Sequence, residues 1–285
     1  MASPIELSIV IPVYNEEPVL EELYKGLRQV CENLGRTYEL VFVDDGSDDG
    51  SFKLLQALKN EDRHMRVVRF TRNFGQQAAA LAGFRHSRGG VVVQIDADLQ
   101  HAPAEIPKLL DALGDECDLV TTVPKKRRDR WLRVLGSQGL RWACQKIFGK
   151  SFRLNLSSFR AMRRSVIDKI DACSDRSRYM AVLMSWMAVP TVEIEVEHQP
   201  RRKGKTKYGV LTLIKLAWDL ITGYSSAPLR LVTYLGLLGA LLGFALMVFL
   251  LFQRVARGIQ VEGFVVLSAV FSFFAGVQLL SVGIL

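Results

Sequence analysis

Two long apolar runs near the C-terminus constrain this chain more than any other feature of its sequence. No charged residue lies between Arg230 and Arg254, a stretch of 23 residues, and none lies within residues 263–285. About 20 apolar residues in a helix cross the roughly 30 Å hydrocarbon core of a bilayer. Because only a short loop joins the two runs, the sequence predicts a transmembrane hairpin over residues 228–285. A buried hairpin in the core of a soluble protein is the alternative interpretation.

The charges are distributed unevenly along the sequence. Residues 1–120 carry 12 Lys and Arg against 20 Asp and Glu, whereas residues 121–215 carry 22 against 7. This basic block lies directly before the apolar runs, while the loop between those runs has only Arg254 and Arg257 as cations. Because the cytoplasmic flanks of membrane helices are enriched in Lys and Arg, the part before the hairpin is predicted to be cytoplasmic. No signal peptide is visible at its start.

The basic block indicates a partner that carries negative charge. Anionic lipid and phosphate groups are the favoured candidates because the block precedes a membrane segment. A solvated basic surface is the alternative. Nucleic acid is not expected as a partner, since no recognition motif accompanies the charge.

Strand-like and helix-like segments alternate along the first 124 residues. Apolar, β-branched runs predict strands at residues 6–13, 40–46, 66–70, 91–98 and 118–123. Apolar residues at helical spacing and helix-favouring composition predict helices at residues 19–34, 51–58, 76–87 and 104–113. This alternation predicts an α/β fold with a mostly parallel sheet, in which ligands bind at the carboxyl ends of the strands.

Two acids follow the buried strand predicted at residues 91–98. Asp96 and Asp98 flank a single alanine where that strand ends, so both carboxylates can converge on one point. Two carboxylates together with diphosphate oxygens form a ligand set suited to Mg²⁺ or Mn²⁺. Gln100 could add a carbonyl ligand. The sequence therefore predicts a divalent metal site here.

Polar residues also close the first two predicted strands. Asp44 and Asp45 follow the second strand, and a carboxylate there can accept hydrogen bonds from a nucleotide base or ribose. Pro12, Tyr14 and Glu16 close the first strand, and Tyr14 offers a ring for stacking. Turn chemistry alone explains any one of these clusters. Together with the metal site, however, they favour a ligand site along one edge of the sheet.

At this point the sequence resembles a known family. The segments that carry the resemblance are IPVYNEE at 11–17, VDDGSDDGS at 43–51, RNFGQQAA at 72–79 and DADLQHAPAEIP at 96–107. They are similar to the family 2 glycosyltransferases, and most of all to the branch that acts on polyprenyl phosphates. The resemblance covers the whole chain. It implies a glycosyltransferase A-type, Rossmann-like domain, followed by interfacial amphipathic helices and a two-helix transmembrane hairpin.

The resemblance also implies an activity and a set of site residues. The activity is the inverting transfer of a single sugar from a UDP- or GDP-linked donor to a polyprenyl phosphate of the undecaprenyl or dolichyl type. The implied nucleotide-binding residues are Pro12, Tyr14, Glu16, Asp44, Asp45, Arg72, Asn73 and Asp96. The implied ligands of Mg²⁺ or Mn²⁺ are Asp96, Asp98 and Gln100, and the implied acceptor-phosphate contacts are Arg127, Arg133, Ser137, Arg201 and Lys207. The implied catalytic residues are Asp96, Asp98, Arg127 and Arg201.

The expected organisation has three parts. Residues 1–124 form the nucleotide-sugar-binding part, residues 125–227 the acceptor-binding part, and residues 228–285 the hairpin. Within the second part, residues 131–148 and 207–224 are candidate interfacial helices, because aromatic and aliphatic residues alternate there with cations. Packing in a protein core is the alternative for the first helix. For the basic loop before the second, the alternative is simple binding to anionic lipid.

One departure from the family pattern concerns the general base. Relatives carry an acid shortly before a Phe-Arg pair, but residues 154–158, before Phe159 and Arg160, contain none. A phosphate acceptor is already ionised near neutral pH, so the reaction does not strictly need a base. Two other functions stay open, a processive polysaccharide synthase and a catalytically degenerate membrane scaffold. Homo-oligomerisation is also left open.

Overall fold

The computed structural model describes residues 5–114, 117–124, 157–173, 180, 183–184, 187, 189–196, 227–258 and 263–284. The chain divides into two compact units, residues 1–206 and 207–285. The two candidate interfacial helices and the basic loop at residues 201–208 lie outside the described residues.

The first unit is built on a seven-stranded sheet. Its strands are β1 (Leu7–Val13), β2 (Tyr38–Asp44), β3 (Met65–Arg69), β4 (Val91–Gln94), β5 (Leu119–Pro124), β6 (Arg160–Arg163) and β7 (Thr191–Val196), in the order β3-β2-β1-β4-β6-β5-β7. Only β6 runs antiparallel to its neighbours, β4 and β5, and the other described pairings are parallel. The prediction of a mostly parallel sheet is confirmed.

Helices pack on both faces of this sheet. They are α1 (Glu17–Leu34), α2 (Ser51–Glu61), α3 (Gln76–His86), a short 3-10 helix (Pro103–Glu105), α4 (Ile106–Asp111) and α5 (Arg164–Ala172). One core layer contains side chains from α1, α2 and α4, and the other contains side chains from α3 and α5. Strand β1 is buried along its whole length because both of its faces are covered. This two-sided burial explains its unbroken apolar sequence.

The structure differs from the sequence prediction in several elements. Strand β4 ends at Gln94, so residues 95–98 form the loop that carries the two acids, although the N–H of Ile95 still donates to the carbonyl of Val10 at 3.1 Å. The helix predicted at residues 104–113 is divided into the 3-10 helix and α4. Strands β6 and β7 and helix α5 were not predicted, and both strands belong to the same sheet as β1–β5.

The second unit contains two helices, α6 (Ala227–Arg257) and α7 (Gly263–Ile284). Each includes a segment long and apolar enough to cross a membrane, Leu229–Arg257 with mean hydropathy 2.6 and Val265–Val282 with 2.1. Only 17% and 11% of their most apolar windows are buried. The core helix of a soluble protein would be mostly buried, so this exposure favours the predicted hairpin in a membrane over the alternative of a buried hairpin.

Glycine allows the two helices of the hairpin to approach closely. A Cβ atom added at Gly276 of α7 would overlap the backbone of Ala240 in α6, and one added at Gly236 would overlap the backbone of α7 near Leu280. Small residues at such positions let membrane helices pack backbone to backbone.

Candidate active site

The candidate site lies at the carboxyl ends of β1, β2 and β4. Strand β1 pairs with β2 on one side and with β4 on the other. The chain adds β2 and β3 on the first side and then crosses over to add β4 on the second, so the strand order reverses at β1. In open α/β sheets this switch point forms the ligand crevice. The structure places all the acids predicted from the sequence here, with Asp44 and Asp45 at the end of β2 and Asp96 and Asp98 after β4.

The loops after β1 and β2 hold one another in place. The N–H of Asn15 donates to Ser47 Oγ at 3.0 Å, and in return the N–H of Asp48 donates to Asn15 Oδ1 at 2.9 Å. The N–H of Glu16 donates to Ser51 Oγ at 3.0 Å. Asn15 has a left-handed backbone conformation with φ of 57°, which asparagine tolerates better than most residues. The turn with Tyr14 and Glu16 therefore has a defined shape.

Asp45 anchors the loop that contains Arg72 and Asn73. Its two carboxylate oxygens accept hydrogen bonds from the N–H groups of Phe74, at 2.8 Å, and Gly75, at 2.9 Å. Burial raises the pKa of Asp45, while these two donors act in the opposite direction. The carboxylate predicted to bind nucleotide is thus engaged in holding the loop.

Gly46 allows this loop to lie against the end of β2. It has φ of 68°, and a Cβ atom added there would lie 2.7 Å from the Cα atom of Arg72. Arg72 and Asn73 are both exposed, and the guanidinium of Arg72 lies 4.8 Å from the ring centroid of Phe74. Arg72 and Asn73 are therefore accessible to a ligand beside the crevice.

Asp44 has a carboxylate oxygen with unused hydrogen-bonding capacity. The side chain is fully buried, and its Oδ1 accepts the N–H of Ser47 at 3.2 Å. Its Oδ2 lies 3.3 Å from Arg69 Nε as an ion pair but has no well-oriented hydrogen bond to any described group. Buried polar atoms without such a partner are rare, and they often lie at functional sites.

Asp96 is held by two neutral side chains from different parts of the chain. Gln76 Nε2, in the first residue of α3, donates to Oδ1, and the hydroxyl of Ser158, just before β6, donates to Oδ2. Burial raises the pKa of Asp96 above its usual range, and the negative charge of Asp98 acts in the same direction. A cation at this carboxylate would favour its ionised form.

Asp98 lies in a tight turn. Its Oδ1 accepts the N–H of Gln100 at 3.1 Å, and the intervening Leu99 is buried with a left-handed φ of 58°. For a bulky residue this backbone conformation is an outlier, and such strain is concentrated at active sites.

The carboxylates of Asp96 and Asp98 fit a divalent metal in part. Carboxylate oxygen is the donor type that Mg²⁺ and Mn²⁺ prefer. Among the described residues, no three His, Cys, Asp or Glu side chains converge on one point. A metal bound here would therefore need further oxygen ligands, from Gln100, water or the diphosphate of a bound nucleotide.

Sequence reasoning did not single out four residues that the structure brings to this site. Two are Gln76 and Ser158. The others are Arg160 and Gln94, which face each other across β6 and β4. The guanidinium of Arg160 is buried and donates to Gln94 Oε1 from Nε at 3.0 Å and from Nη2 at 2.6 Å. Burial lowers the pKa of Arg160 to about 10, and the charge of Asp96 opposes this shift.

The predicted acceptor-phosphate residues lie elsewhere in the chain. Arg127, Arg133, Ser137, Arg201 and Lys207 are all outside the described residues. Their assignment to the acceptor stays a prediction.

Comparison with known proteins agrees with this fold. The sequence matches the family described as glycosyl transferase family 2 over residues 8–171. Two proteins named undecaprenyl-phosphate 4-deoxy-4-formamido-L-arabinose transferase are similar over nearly the whole chain. The one from Edwardsiella ictaluri is 40% identical over 98% of this chain and 87% of its own length. The one from Pseudomonas paraeruginosa is 43% identical over 99% of this chain and 84% of its own length.

A solved structure shares the fold at lower sequence similarity. Glucosyl-3-phosphoglycerate synthase from Mycobacterium tuberculosis, in complex with Mn²⁺ and UDP-glucose, is 19% identical, covers 77% of each chain and has a TM-score of 0.56. The first unit thus has the glycosyltransferase A-type fold. Because the family match covers more than half of the chain and the relatives align with nearly all of it, this chain belongs to glycosyl transferase family 2.

Proposed function

We propose that the enzyme transfers a single sugar from a nucleotide sugar to undecaprenyl phosphate or a similar polyprenyl phosphate, with inversion, at the cytoplasmic face of a membrane. The observation that carries the proposal is the alignment with undecaprenyl-phosphate sugar transferases over 98–99% of the chain, which includes both apolar helices. Their name makes 4-deoxy-4-formamido-L-arabinose the first sugar to test.

The donor would bind in the crevice beside β1, β2 and β4. Asp44 ends β2 at this edge and is proposed to accept a hydrogen bond from an N–H of the base or a hydroxyl of the ribose, a contact that requires its buried Oδ2 to become accessible when the donor binds. Tyr14, only partly buried, offers a ring face at the same edge, and exposed Arg72 offers positive charge. UDP is the favoured nucleotide because the structural neighbour binds UDP-glucose.

The leaving diphosphate would lie against the loop after β4. Asp96 and Asp98, with Gln100, are the residues that would hold a divalent cation. Such a cation supplies positive charge where the diphosphate leaves. Mg²⁺ and Mn²⁺ both fit carboxylate ligands, and Mn²⁺ is the ion in the structural neighbour.

The chemical step would need little proton transfer. A phosphate oxygen of the acceptor attacks the anomeric carbon, a new carbon–oxygen bond forms, and the bond from that carbon to the diphosphate breaks. The nucleoside diphosphate leaves as an anion, and the acceptor phosphate is already ionised near neutral pH. This chemistry is consistent with serines, rather than an acid, at positions 157 and 158. Arg127, Arg133, Ser137, Arg201 and Lys207 are proposed to position the acceptor phosphate.

The test is an assay of the purified full chain with Mn²⁺ or Mg²⁺ and a short polyprenyl phosphate. A panel of UDP- and GDP-sugars is supplied, including the UDP-linked form of 4-deoxy-4-formamido-L-arabinose. Lipid products are identified by mass. A polyprenyl phosphate bearing one sugar would establish the proposal and name the donor. Products with many sugars would indicate a processive synthase. Metal-dependent nucleotide-sugar binding without turnover would indicate a degenerate scaffold.

A further inference from the structure

The carboxylate of Asp96 is held at both of its oxygens. One oxygen accepts from Gln76 and the other from Ser158, so both oxygens have a neutral donor. The two donors are 82 residues apart in sequence, one in the first residue of α3 and the other just before β6, the antiparallel neighbour of β4. Two donors on two oxygens fix the plane of a carboxylate.

These donors leave room for a cation. Each carboxylate oxygen has two lone pairs, so one hydrogen bond per oxygen leaves a further acceptor position on each. Neutral donors also leave the negative charge of Asp96 in place, whereas an Arg or Lys in contact would neutralise it. The arrangement therefore orients the carboxylate and keeps it able to bind a metal.

A buried charge, that of Arg160, interacts electrostatically with the same carboxylate. The guanidinium of Arg160 has only neutral hydrogen-bond acceptors among the described residues, Gln94 Oε1 and the sulfur of Met184. Buried charges are normally compensated by an opposite charge, and the acid that interacts electrostatically with Arg160 is Asp96. Arg160 thus favours the ionised form of Asp96 electrostatically, while its hydrogen bonds among the described residues go to Gln94 and Met184 and not to either oxygen of Asp96.

We infer that Ser158 and Gln76 are positioning residues that fix the Asp96 carboxylate for metal binding. The inference rests on the proposed function, because it assigns Asp96 to the metal. Neither residue needs to touch the substrate, since both act through Asp96. Removing a group that orients a metal-ligating side chain typically weakens metal affinity about 10–100-fold.

The chain offers a matched control for each positioning residue. Ser157 is the neighbour of Ser158, and its hydroxyl accepts the N–H of Phe159 at 3.1 Å instead of contacting Asp96. Gln77 follows Gln76 on α3, is exposed, and makes no side-chain hydrogen bond to any described residue. The comparisons are therefore Ser158→Ala with Ser157→Ala, and Gln76→Ala with Gln77→Ala. Ser158→Thr keeps the hydroxyl and serves as the conservative variant.

The experiment measures Mn²⁺ binding to the full chain in detergent with UDP present. The signal of free Mn²⁺ in electron paramagnetic resonance reports the bound fraction without any turnover. We expect Ser158→Ala and Gln76→Ala each to raise the Mn²⁺ dissociation constant roughly tenfold. Ser157→Ala, Gln77→Ala and Ser158→Thr are expected to stay within about twofold of the wild type. Gln76 is exposed, so its variant tests the inference even if Ser158→Ala does not fold.

Two kinds of failure can be told apart. If the wild type binds no Mn²⁺ with UDP, the proposed function fails and this inference fails with it. If the wild type binds Mn²⁺ but Ser158→Ala and Gln76→Ala bind it equally well, only the inference is overturned. Equal weakening by Ser157→Ala and Ser158→Ala would also overturn it, because the effect would then not depend on the contact with Asp96.

Discussion

At the scale of single residues, the two acids after β4 are held differently, and Asp98 gives the sharper test of the metal site. Asp98→Asn keeps an oxygen that can accept the N–H of Gln100, so the fold should survive. The variant loses the negative charge that a divalent cation needs. We expect Mn²⁺-dependent UDP binding and sugar transfer to fall by about 100-fold or more. Loss of a metal ligand should cost more than loss of a group that only orients a ligand, which typically weakens metal affinity about 10–100-fold.

Three measurements check this prediction: calorimetric titration of the protein with UDP in the presence of Mn²⁺, the transfer assay, and the thermal unfolding midpoint. Asp111→Asn, at the exposed end of α4, is the control and should leave both activities unchanged. Undiminished transfer by Asp98→Asn would remove Asp98 from the metal site.

Asp62 provides a prediction about stability and pH. The side chain is buried at the end of α2 and accepts hydrogen bonds from the N–H of His64 at 2.8 Å, from its ring nitrogen at 2.9 Å and from the hydroxyl of Tyr24 at 3.0 Å. Burial opposes ionisation, but these donors outweigh it and lower the pKa of Asp62 below its usual range. The stabilisation should be complete above the unfolded-state pKa of about 3.9 and lost as pH falls through the lower folded-state pKa.

The variant Asp62→Asn tests this dependence. It weakens the buried hydrogen bonds, so we expect a loss of about 1–3 kcal/mol in the free energy of unfolding at pH 7. Thermal unfolding midpoints of wild type and variant should differ most above about pH 5 and converge as the wild-type carboxyl is protonated. A difference that stays constant or widens as pH is lowered would contradict the assignment.

At the scale of elements, the apolar pattern predicted β1–β5 and α1–α3 but not the last two strands. Strand β6 reads Arg-Ala-Met-Arg, and its buried Arg160 donates two hydrogen bonds to Gln94 on β4. No local pattern marks such a strand, since its burial depends on a neighbour in the sheet. Strand β7 does alternate Val192, Ile194 and Val196 with other residues, and this period of two is a usable signal.

The packing of α6 on α7 leads to a third prediction. Gly276→Ala would place a methyl group against the backbone of Ala240, and overpacking of this kind costs about 1–3 kcal/mol. Gly239→Ala is the matched control, because a Cβ atom there would lie 3.7 Å from its nearest neighbour, the Cα atom of Gly276. We expect Gly276→Ala to lose its folded peak in size-exclusion chromatography at a lower temperature than wild type. Equal behaviour of the two variants would show that the helices do not approach at Gly276.

At the scale of the whole molecule, sequence motifs predicted the acids of the site but not the residues that hold them. Asp44, Asp96 and Asp98 were predictable because each follows an apolar run, and parallel strands bring their ends to one edge. The contact of Ser158 with Asp96 depends on the antiparallel pairing of β4 and β6, and that of Gln76 on the position of α3 beside the end of β4, neither of which a short motif encodes. The engagement of Asp45 with the loop at residues 72–75 is likewise a tertiary contact.

The orientation in the membrane is the last prediction, and it follows from the charge pattern of the entire chain. Residues 121–215 hold 22 Lys and Arg, whereas the segment between the two apolar runs holds only Arg254 and Arg257 as cations. Because the strongly basic flank stays on the cytoplasmic side, the loop between α6 and α7 should face the opposite side. An epitope tag inserted after Gly258 should bind antibody in right-side-out membrane vesicles. The same tag at the N-terminus should bind only in inside-out vesicles, and the reverse pattern would place the candidate active site away from a cytoplasmic supply of nucleotide sugar.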